Sequence, residues 1–135
     1  MRRRRWHQGM LIAAGAYNLA WGAYACVDPQ WLFRFAEMPP SNYPEIFACL
    51  GMVVGLYGLV YWEAARRPES SRVLVAVGLL GKILGPIGWL QLAVTGRWPP
   101  ATFVLCLTND VIWWVPFSLY LYDATIAARP SRKDG

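Results

Sequence analysis

Charged side chains are scarce in this sequence, since Asp, Glu, Lys and Arg together make up only 16% of its 135 residues. A soluble domain carries about 25%, so this scarcity argues against a soluble globular protein. Histidine occurs once, none of the three cysteines belongs to a Cys-x-x-Cys pair, and no glycine-rich phosphate loop is present. No metal site and no cofactor therefore follow from a motif.

Apolar sequence, by contrast, is abundant: 56% of the residues are hydrophobic and the mean hydropathy is +0.29, which excludes a disordered chain. A bilayer core about 30 Å thick requires roughly 17 to 25 apolar residues in a helix. Four stretches with very few charges meet this requirement, near residues 6–27, 45–64, 72–95 and 101–123. Strand-like alternation is not visible, and a backbone in lipid has to pair its own polar groups. The sequence therefore predicts an all-α polytopic membrane protein, a single four-transmembrane-helix bundle over residues 1–135.

The segment between the first two spans carries an apolar stripe. Trp31, Leu32 and Phe35 recur at helical spacing, and Asp28-Pro29 has the residue types of a helix N-cap and first helical position. A short interfacial helix over residues 29–37 is therefore predicted in the first outer loop.

Basic residues are distributed unevenly between the two sides of this topology. Ten of the 13 Lys and Arg residues lie before the first span, between spans two and three, or after span four: Arg2 to Arg5, Arg66, Arg67, Arg72, Arg129, Arg132 and Lys133. Arg34 and Arg97 lie on the other side, and because basic loops stay in the cytoplasm, both termini are predicted to be cytoplasmic. The net charge of +5 thus indicates a membrane orientation and not nucleic-acid binding. We expect the first span to be retained rather than cleaved as a signal sequence.

Glycines recur at spacings of three and four residues within the first three spans. The positions are Gly15 and Gly22 in span one, Gly51, Gly55 and Gly58 in span two, and Gly78, Gly81, Gly85 and Gly88 in span three. Small residues on one helix face let backbones approach closely in lipid, so we expect these faces to be packing seams within the chain. In span three, Pro86 should also free the main-chain oxygen of Lys82, which then needs a donor.

Two charged residues lie within the predicted spans. Counting about 1.5 Å per residue places Lys82 roughly 15 Å and Asp110 roughly 20 Å from the cytoplasmic ends of their helices. A lone charge near the bilayer centre costs at least about 2.5 kcal/mol, so we predict that both side chains face inward and pair. The other candidate site residues, which lie at similar depth or on the same helix faces, are Asn18, Tyr57, Asn109, Trp89 and Trp113.

Two interpretations of this polar cluster follow from the sequence. As a functional site it would be a proton relay, a site for an ion or polar head group, or a redox-coupled site for a quinone-like molecule. As a structural feature it would be a buried salt bridge and hydrogen-bond network that fixes the register of four helices. The aromatic residues nearby could likewise bind a flat apolar ligand or simply fill the core.

The cysteines and the single histidine give weaker indications. Cys49 and Cys106 share a depth in the outer third of the membrane and are the candidate redox thiols, able to form a disulfide if spans two and four are neighbours. Isolated buried thiols are the commoner case. His7 is expected to be solvated at the cytoplasmic interface, where it lacks partners for a metal site.

One family resemblance is carried by four segments: the Asp28-Pro29 end of span one, Pro44-Glu45, Gly51 to Gly58, and Arg66-Arg67-Pro68-Glu69. Together with the size, the four spans and the long first outer loop, these segments resemble the DoxX-like small bacterial inner-membrane proteins. The resemblance implies a multi-pass protein of the bacterial inner membrane and an accessory role in a quinone-linked redox system. It carries over no active-site residue.

Three hypotheses of function follow. The first is a non-catalytic accessory subunit or a lipid- or quinone-binding module, working in the lipid bilayer as a homo-oligomer or within a larger membrane complex. The second is a small proton- or ion-coupled transporter that works as an oligomer, and the third is a quinone-linked membrane redox enzyme that uses the thiols. The first fits the small size, the short loops and the glycine seams best.

Overall fold

The computed structural model describes residues 1–128, and this part of the chain is helical without a β-strand. In chain order the helices are α1 (Arg4–Val27), α2 (Trp31–Phe35), α3 (Pro44–Arg66), α4 (Arg72–Val94), α5 (Phe103–Cys106) and α6 (Ile112–Ala127). Helices α1, α3 and α4, together with the segment Pro100–Ala127 that contains α5 and α6, are long and apolar enough to cross a membrane. Their bounds agree with those of the four predicted spans to within a few residues at each end. Three of the basic residues used to predict the topology, Arg129, Arg132 and Lys133, lie outside the described residues.

The fourth segment is irregular where the sequence predicts one helix over residues 101–123. A 3-10 turn at Pro100–Thr102 leads into α5, and a π turn over Leu107–Val111 separates α5 from α6. Side chains bond to main-chain oxygens here: Thr108 Oγ1 donates to the oxygen four residues earlier at 2.9 Å, and Trp113 Nε1 donates to the Thr108 oxygen at 3.2 Å. Such bonds bend helices, and a π turn changes the direction in which the following residues point.

Helix α2 is shorter than the predicted interfacial helix over residues 29–37. Gln30 precedes its first turn, so the predicted N-cap at Asp28-Pro29 is wrong. Asp28 instead ends α1, and its carboxylate forms a bidentate pair with the guanidinium of Arg34. These hydrogen bonds hold the pKa of Asp28 below its usual range.

The glycine faces of α1 and α3 pack directly against each other, which confirms that these two faces are packing seams within the chain. A Cβ atom added to Gly22 would lie 2.5 Å from the main-chain oxygen of Gly51 and 2.6 Å from the Cα atom of Gly55. Farther along the same pair, a Cβ added to Gly58 would lie 2.6 Å from the main-chain oxygen of Gly15. The two backbones are therefore in contact, which is how small residues stabilise helix pairs in lipid.

The apolar core lies at the end of the molecule that carries the N-terminal arginines, which we call the Arg-rich end. The opposite end carries α2, and we call it the α2 end. The core residues are Met10, Leu11, Ala14, Tyr61, Ala64, Ala65, Val75, Phe117, Tyr120 and Ala124. Tyr61 of α3 packs on Gly78 of α4, and Tyr120 Oη donates to the Pro68 main-chain oxygen at 2.6 Å. These contacts hold α3, α4 and α6 together at the Arg-rich end.

The glycine face of α4 differs from the other two. Gly78 is covered by an aromatic ring of α3, and Gly85 faces the carboxylate of Asp110. Gly81 and Gly88, however, have no atom within 4 Å of the place that an added Cβ would take. The predicted packing seam is therefore wrong for these two glycines, because α3 and α4 leave space between them toward the α2 end.

We predict that Gly22→Ala destabilises the α1–α3 pair, because the added methyl group would meet backbone atoms of α3. Overpacking of this kind costs about 1–3 kcal/mol of the free energy of unfolding. Gly9→Ala is the matched control, since Gly9 lies in the same helix with nothing within 4 Å of an added Cβ. Denaturant unfolding in detergent, followed by circular dichroism, measures both variants, and equal stability would contradict a tight seam.

Candidate functional site

Lys82 is the buried cation at the centre of the candidate site. The residue is only 4% exposed, and its Nζ donates a 2.5 Å hydrogen bond to the main-chain oxygen of Asn109 in the π turn. Three aromatic rings surround the ammonium group, with centroids at 5.7 Å (Tyr61), 5.9 Å (Trp113) and 6.0 Å (Phe117) from Nζ. Because an aromatic face attracts a desolvated cation, these rings replace part of the hydration that burial removes.

Asp110 is also buried, at 8% exposure, but its carboxylate does not take the direct ion pair with Lys82 that the sequence predicts. Asn109 contacts both residues instead. Its main-chain oxygen accepts from Lys82 Nζ, and its Nδ2 donates to Asp110 Oδ1 at 2.8 Å. The reason is the π turn, which presents the Asn109 oxygen to α4. The predicted pairing is thus corrected to a contact through Asn109.

A proline and a glycine in α4 shape this contact. Pro86 has no N–H group, so the main-chain oxygen of Lys82 loses its donor within the helix. Trp114 Nε1 of α6 donates to that oxygen at 2.9 Å, which confirms the expectation that it needs a donor from elsewhere. Gly85 leaves room for the carboxylate, since an added Cβ would lie 2.8 Å from Asp110 Oδ2. Both residues therefore let the fourth segment come close to α4.

Two adjoining cavities lie between α3 and α4 beside these polar residues. The smaller has a volume of about 180 Å³ and lies at the level of Lys82, and the larger, of about 410 Å³, extends toward the α2 end. Val54, Gly81, Asn109 and Asp110 line both cavities. A molecule in the larger cavity would therefore end beside the polar groups of the smaller one.

The smaller cavity is lined by Asn18 and Tyr57, which the sequence places at this depth. Asn18 is 2% exposed, and its Nδ2 donates to the Val54 main-chain oxygen at 3.2 Å. Its Oδ1 atom is buried without a hydrogen-bond partner, and so is the Oδ1 atom of Asn109. An unpaired buried acceptor costs about 1–3 kcal/mol, so a purely structural network would not be expected to leave two of them.

The larger cavity is mainly apolar and aromatic. Trp89, a predicted site residue, lines it and donates from Nε1 to Thr102 Oγ1 at 2.8 Å. Trp21 also lines it, and its Nε1 atom is buried without a partner. Trp21 is not among the predicted site residues, although it follows Asn18 by three residues on one helix face. Trp113, the other predicted tryptophan, packs against Lys82 instead.

The two candidate redox thiols lie in different surroundings. Cys106 is buried and lines the larger cavity, whereas Cys49 is exposed on α3. All three cysteines of the chain lie within residues 1–128 and are free thiols. One of the two candidate thiols, Cys106, therefore belongs to the candidate site.

A second polar cluster, at the Arg-rich end, is not predicted by the sequence analysis. Arg3 donates to both carboxylate oxygens of Asp123 at 2.9 and 3.0 Å, and His7 Nε2 lies 2.8 Å from Asp123 Oδ2. His7 is fully buried, so the expectation of a solvated histidine is wrong. The reason is that α1 already begins at Arg4, and its first turns pack His7 against Tyr120 of α6, with ring centroids 5.5 Å apart.

Comparisons with protein-family models, curated proteins and solved structures find no match for this chain. The DoxX-like resemblance therefore stays a prediction. What the chain does has to follow from the residues and cavities described above.

We predict that Trp114→Phe destabilises the protein, because the main-chain oxygen of Lys82 would lose its indole donor. An unpaired buried oxygen of this kind costs about 1–3 kcal/mol of the free energy of unfolding. Pro86→Ala restores an amide that can donate to the same oxygen, so the double variant should regain most of the loss. Unfolding of the wild type, both single variants and the double variant in detergent tests this, and strictly additive losses would refute the link.

Proposed function

We propose that this protein is a non-catalytic membrane module that binds a lipophilic molecule of the lipid or quinone class between α3 and α4. The observation that supports this proposal is the position of the unpaired polar atoms. Within residues 1–128, five buried side-chain nitrogen and oxygen atoms have no hydrogen-bond partner, and three of them belong to residues that line the cavities: Asn18, Trp21 and Asn109. Unpaired polar atoms in residues that form the wall of a cavity are typical of a ligand site.

The shapes of the two cavities suit an amphipathic molecule. A volume of about 410 Å³ lies within the range of ligand pockets, which are mostly apolar and carry a few polar groups. The apolar part of the molecule would lie in the larger cavity, against Trp21 and Trp89. Its polar end would lie in the smaller cavity, beside Asn18 and Asp110. The absence of side chains opposite Gly81 and Gly88 provides the space.

The proposed setting is the lipid bilayer of a bacterial inner membrane. The four long apolar helices would cross it, with the Arg-rich end in the cytoplasm, where basic residues are retained. The connections between α3 and α4 and between α4 and the fourth segment are short, so a protein partner would meet this part of the chain mainly within the membrane. That partner would be a second copy or a larger complex in which the chain acts as an accessory subunit.

Filling the larger cavity should weaken binding of a lipophilic probe. The probe is 11-bromoundecan-1-ol, an alcohol whose terminal bromine quenches tryptophan emission on contact, titrated into the protein in phosphatidylcholine nanodiscs. The wild type should show a saturable loss of emission, because Trp21, Trp89 and Trp98 line the cavity. In Gly88→Leu the new side chain would occupy this space, so we expect at least tenfold weaker binding.

Gly9→Leu is the matched control for this experiment. Like Gly88, Gly9 has nothing within 4 Å of an added Cβ, but it lies in α1 and does not line either cavity. It should bind the probe as the wild type does. Quenching that rises linearly with probe in the wild type, or that is equal in both leucine variants, would argue against the proposed site.

Transport is the second candidate function, favoured by the two buried charges near the middle of the helices. If protons or ions move past Asp110, then Asp110→Asn should abolish flux into liposomes while the protein stays folded. Asp28→Asn is the matched control, because Asp28 pairs with Arg34 outside the long helices. If the wild type and Asp110→Asn show the same proton flux, this candidate function is excluded.

A further inference from the structure

The unpaired atoms of the smaller cavity define the chemistry of the molecule that would fill it. We infer that the polar end of the ligand is a hydrogen-bond donor, the hydroxyl group of an aliphatic or phenolic alcohol, held by the oxygens of Asn18, Asn109 and Asp110. This inference rests on the proposed binding function and narrows its ligand class. It follows from which atom of each side chain is already paired.

The orientation of the Asn18 amide is fixed by its partner. Nδ2 donates to the Val54 main-chain oxygen at 3.2 Å, and an oxygen placed there would face another acceptor. The atom that remains unpaired is therefore the acceptor Oδ1. Since Asn18 is 2% exposed and lines the smaller cavity, the wall of the cavity holds a buried oxygen that needs a donor.

Asn109 and Asp110 add further acceptors by the same reasoning. Asn109 Nδ2 donates to Asp110 Oδ1 at 2.8 Å, which fixes that amide and leaves Asn109 Oδ1 unpaired. Asp110 Oδ2 faces Gly85, where a side chain would collide with it, and the hydrogen bonds of residues 1–128 give it no donor. Both residues line the smaller cavity, so they add two unpaired acceptors to that of Asn18.

Three nitrogen donors nearby already have acceptors. Lys82 Nζ donates to the Asn109 main-chain oxygen and is otherwise surrounded by three rings. Trp113 and Trp114 both donate from Nε1 to main-chain oxygens. The hydroxyls of Tyr57 and Tyr61 also belong to residues that line the smaller cavity. Each can donate or accept, so they suit either kind of ligand. A carbonyl or ether head would therefore leave the oxygens of Asn18 and Asn109 unpaired, whereas a hydroxyl would pair one of them.

A matched pair of probes tests this inference. The alcohol 11-bromoundecan-1-ol and its methyl ether, 1-bromo-11-methoxyundecane, share the same chain and the same quenching bromine, but the ether has no proton to donate. Both are titrated into the wild type in phosphatidylcholine nanodiscs, with binding measured relative to partition into empty nanodiscs. We expect the alcohol to bind at least tenfold more tightly, the effect of one hydrogen bond to a buried or charged acceptor.

Three variants locate the preference. Asn18→Leu and Asp110→Asn should each reduce the ratio of alcohol to ether affinity to below threefold. Gln8→Leu is the matched control for Asn18→Leu, because Gln8 also donates from its amide to a main-chain oxygen of α3, that of Ala65, at 3.0 Å. Gln8 does not line the two cavities, so its variant should keep the wild-type ratio. Circular dichroism shows which variants are folded.

The possible failures can be told apart. Saturable binding of both probes to the wild type with equal affinity would overturn the donor inference and leave the proposed function standing. Tighter binding of the ether would do the same. If neither probe binds saturably, the proposed function fails and the inference fails with it. Because the decisive comparison uses the wild-type protein, a variant that does not fold leaves the test intact.

Discussion

The hydrogen bond from Lys82 Nζ to the main-chain oxygen of Asn109 is the contact on which the site depends. A buried ammonium group needs an acceptor, and the π turn supplies a main-chain oxygen that joins α4 to the fourth segment midway along their length. Because this oxygen accepts from the ammonium group, Asp110 does not pair with Lys82. One oxygen of the Asp110 carboxylate accepts from Asn109, and the other, beside the cavities, has no donor among residues 1–128.

Glycine performs two opposite tasks in this small protein. In α1 and α3 it removes side chains so that two backbones come into contact, as at Gly22 and Gly55, and this pair provides a rigid wall. In α4 the same residue type removes side chains and nothing takes their place, as at Gly81 and Gly88. On the α3 side the cavities are therefore bordered by a closely packed helix pair, and on the α4 side the glycines leave open space. For this reason the cavities lie between α3 and α4.

The sequence predicts those features that depend on position along a helix. The bounds of the spans follow from the length of uncharged sequence, and the need of the Lys82 oxygen for a donor follows from Pro86. Contacts between helices depend on how each helix is rotated about its axis. A π turn changes that rotation, and no residue pattern in the sequence predicts the turn. For this reason the sequence places Asn109 beside Asp110 but does not predict that its main-chain oxygen would take the lysine. It places His7 near a helix end but not against Asp123.

The fourth segment contains two buried carboxylates, Asp123 and Asp110, whose hydrogen-bond partners differ. Asp123 has the surroundings of a structural residue, and Asp110 those of a candidate binding residue. Asp123 is surrounded by donors: two nitrogens of Arg3 and the ring of His7, so it leaves little capacity for a ligand and ties α1 to α6. Asp110 receives one side-chain donor, from Asn109, and borders open space. If buried charge served only to fix helix positions, both acids would be expected to be paired in the same way. This difference between the two carboxylates favours a binding site at Asp110. The neutral residues Asn18 and Asn109 line the same cavity, and each also has an oxygen without a donor in the described part of the chain.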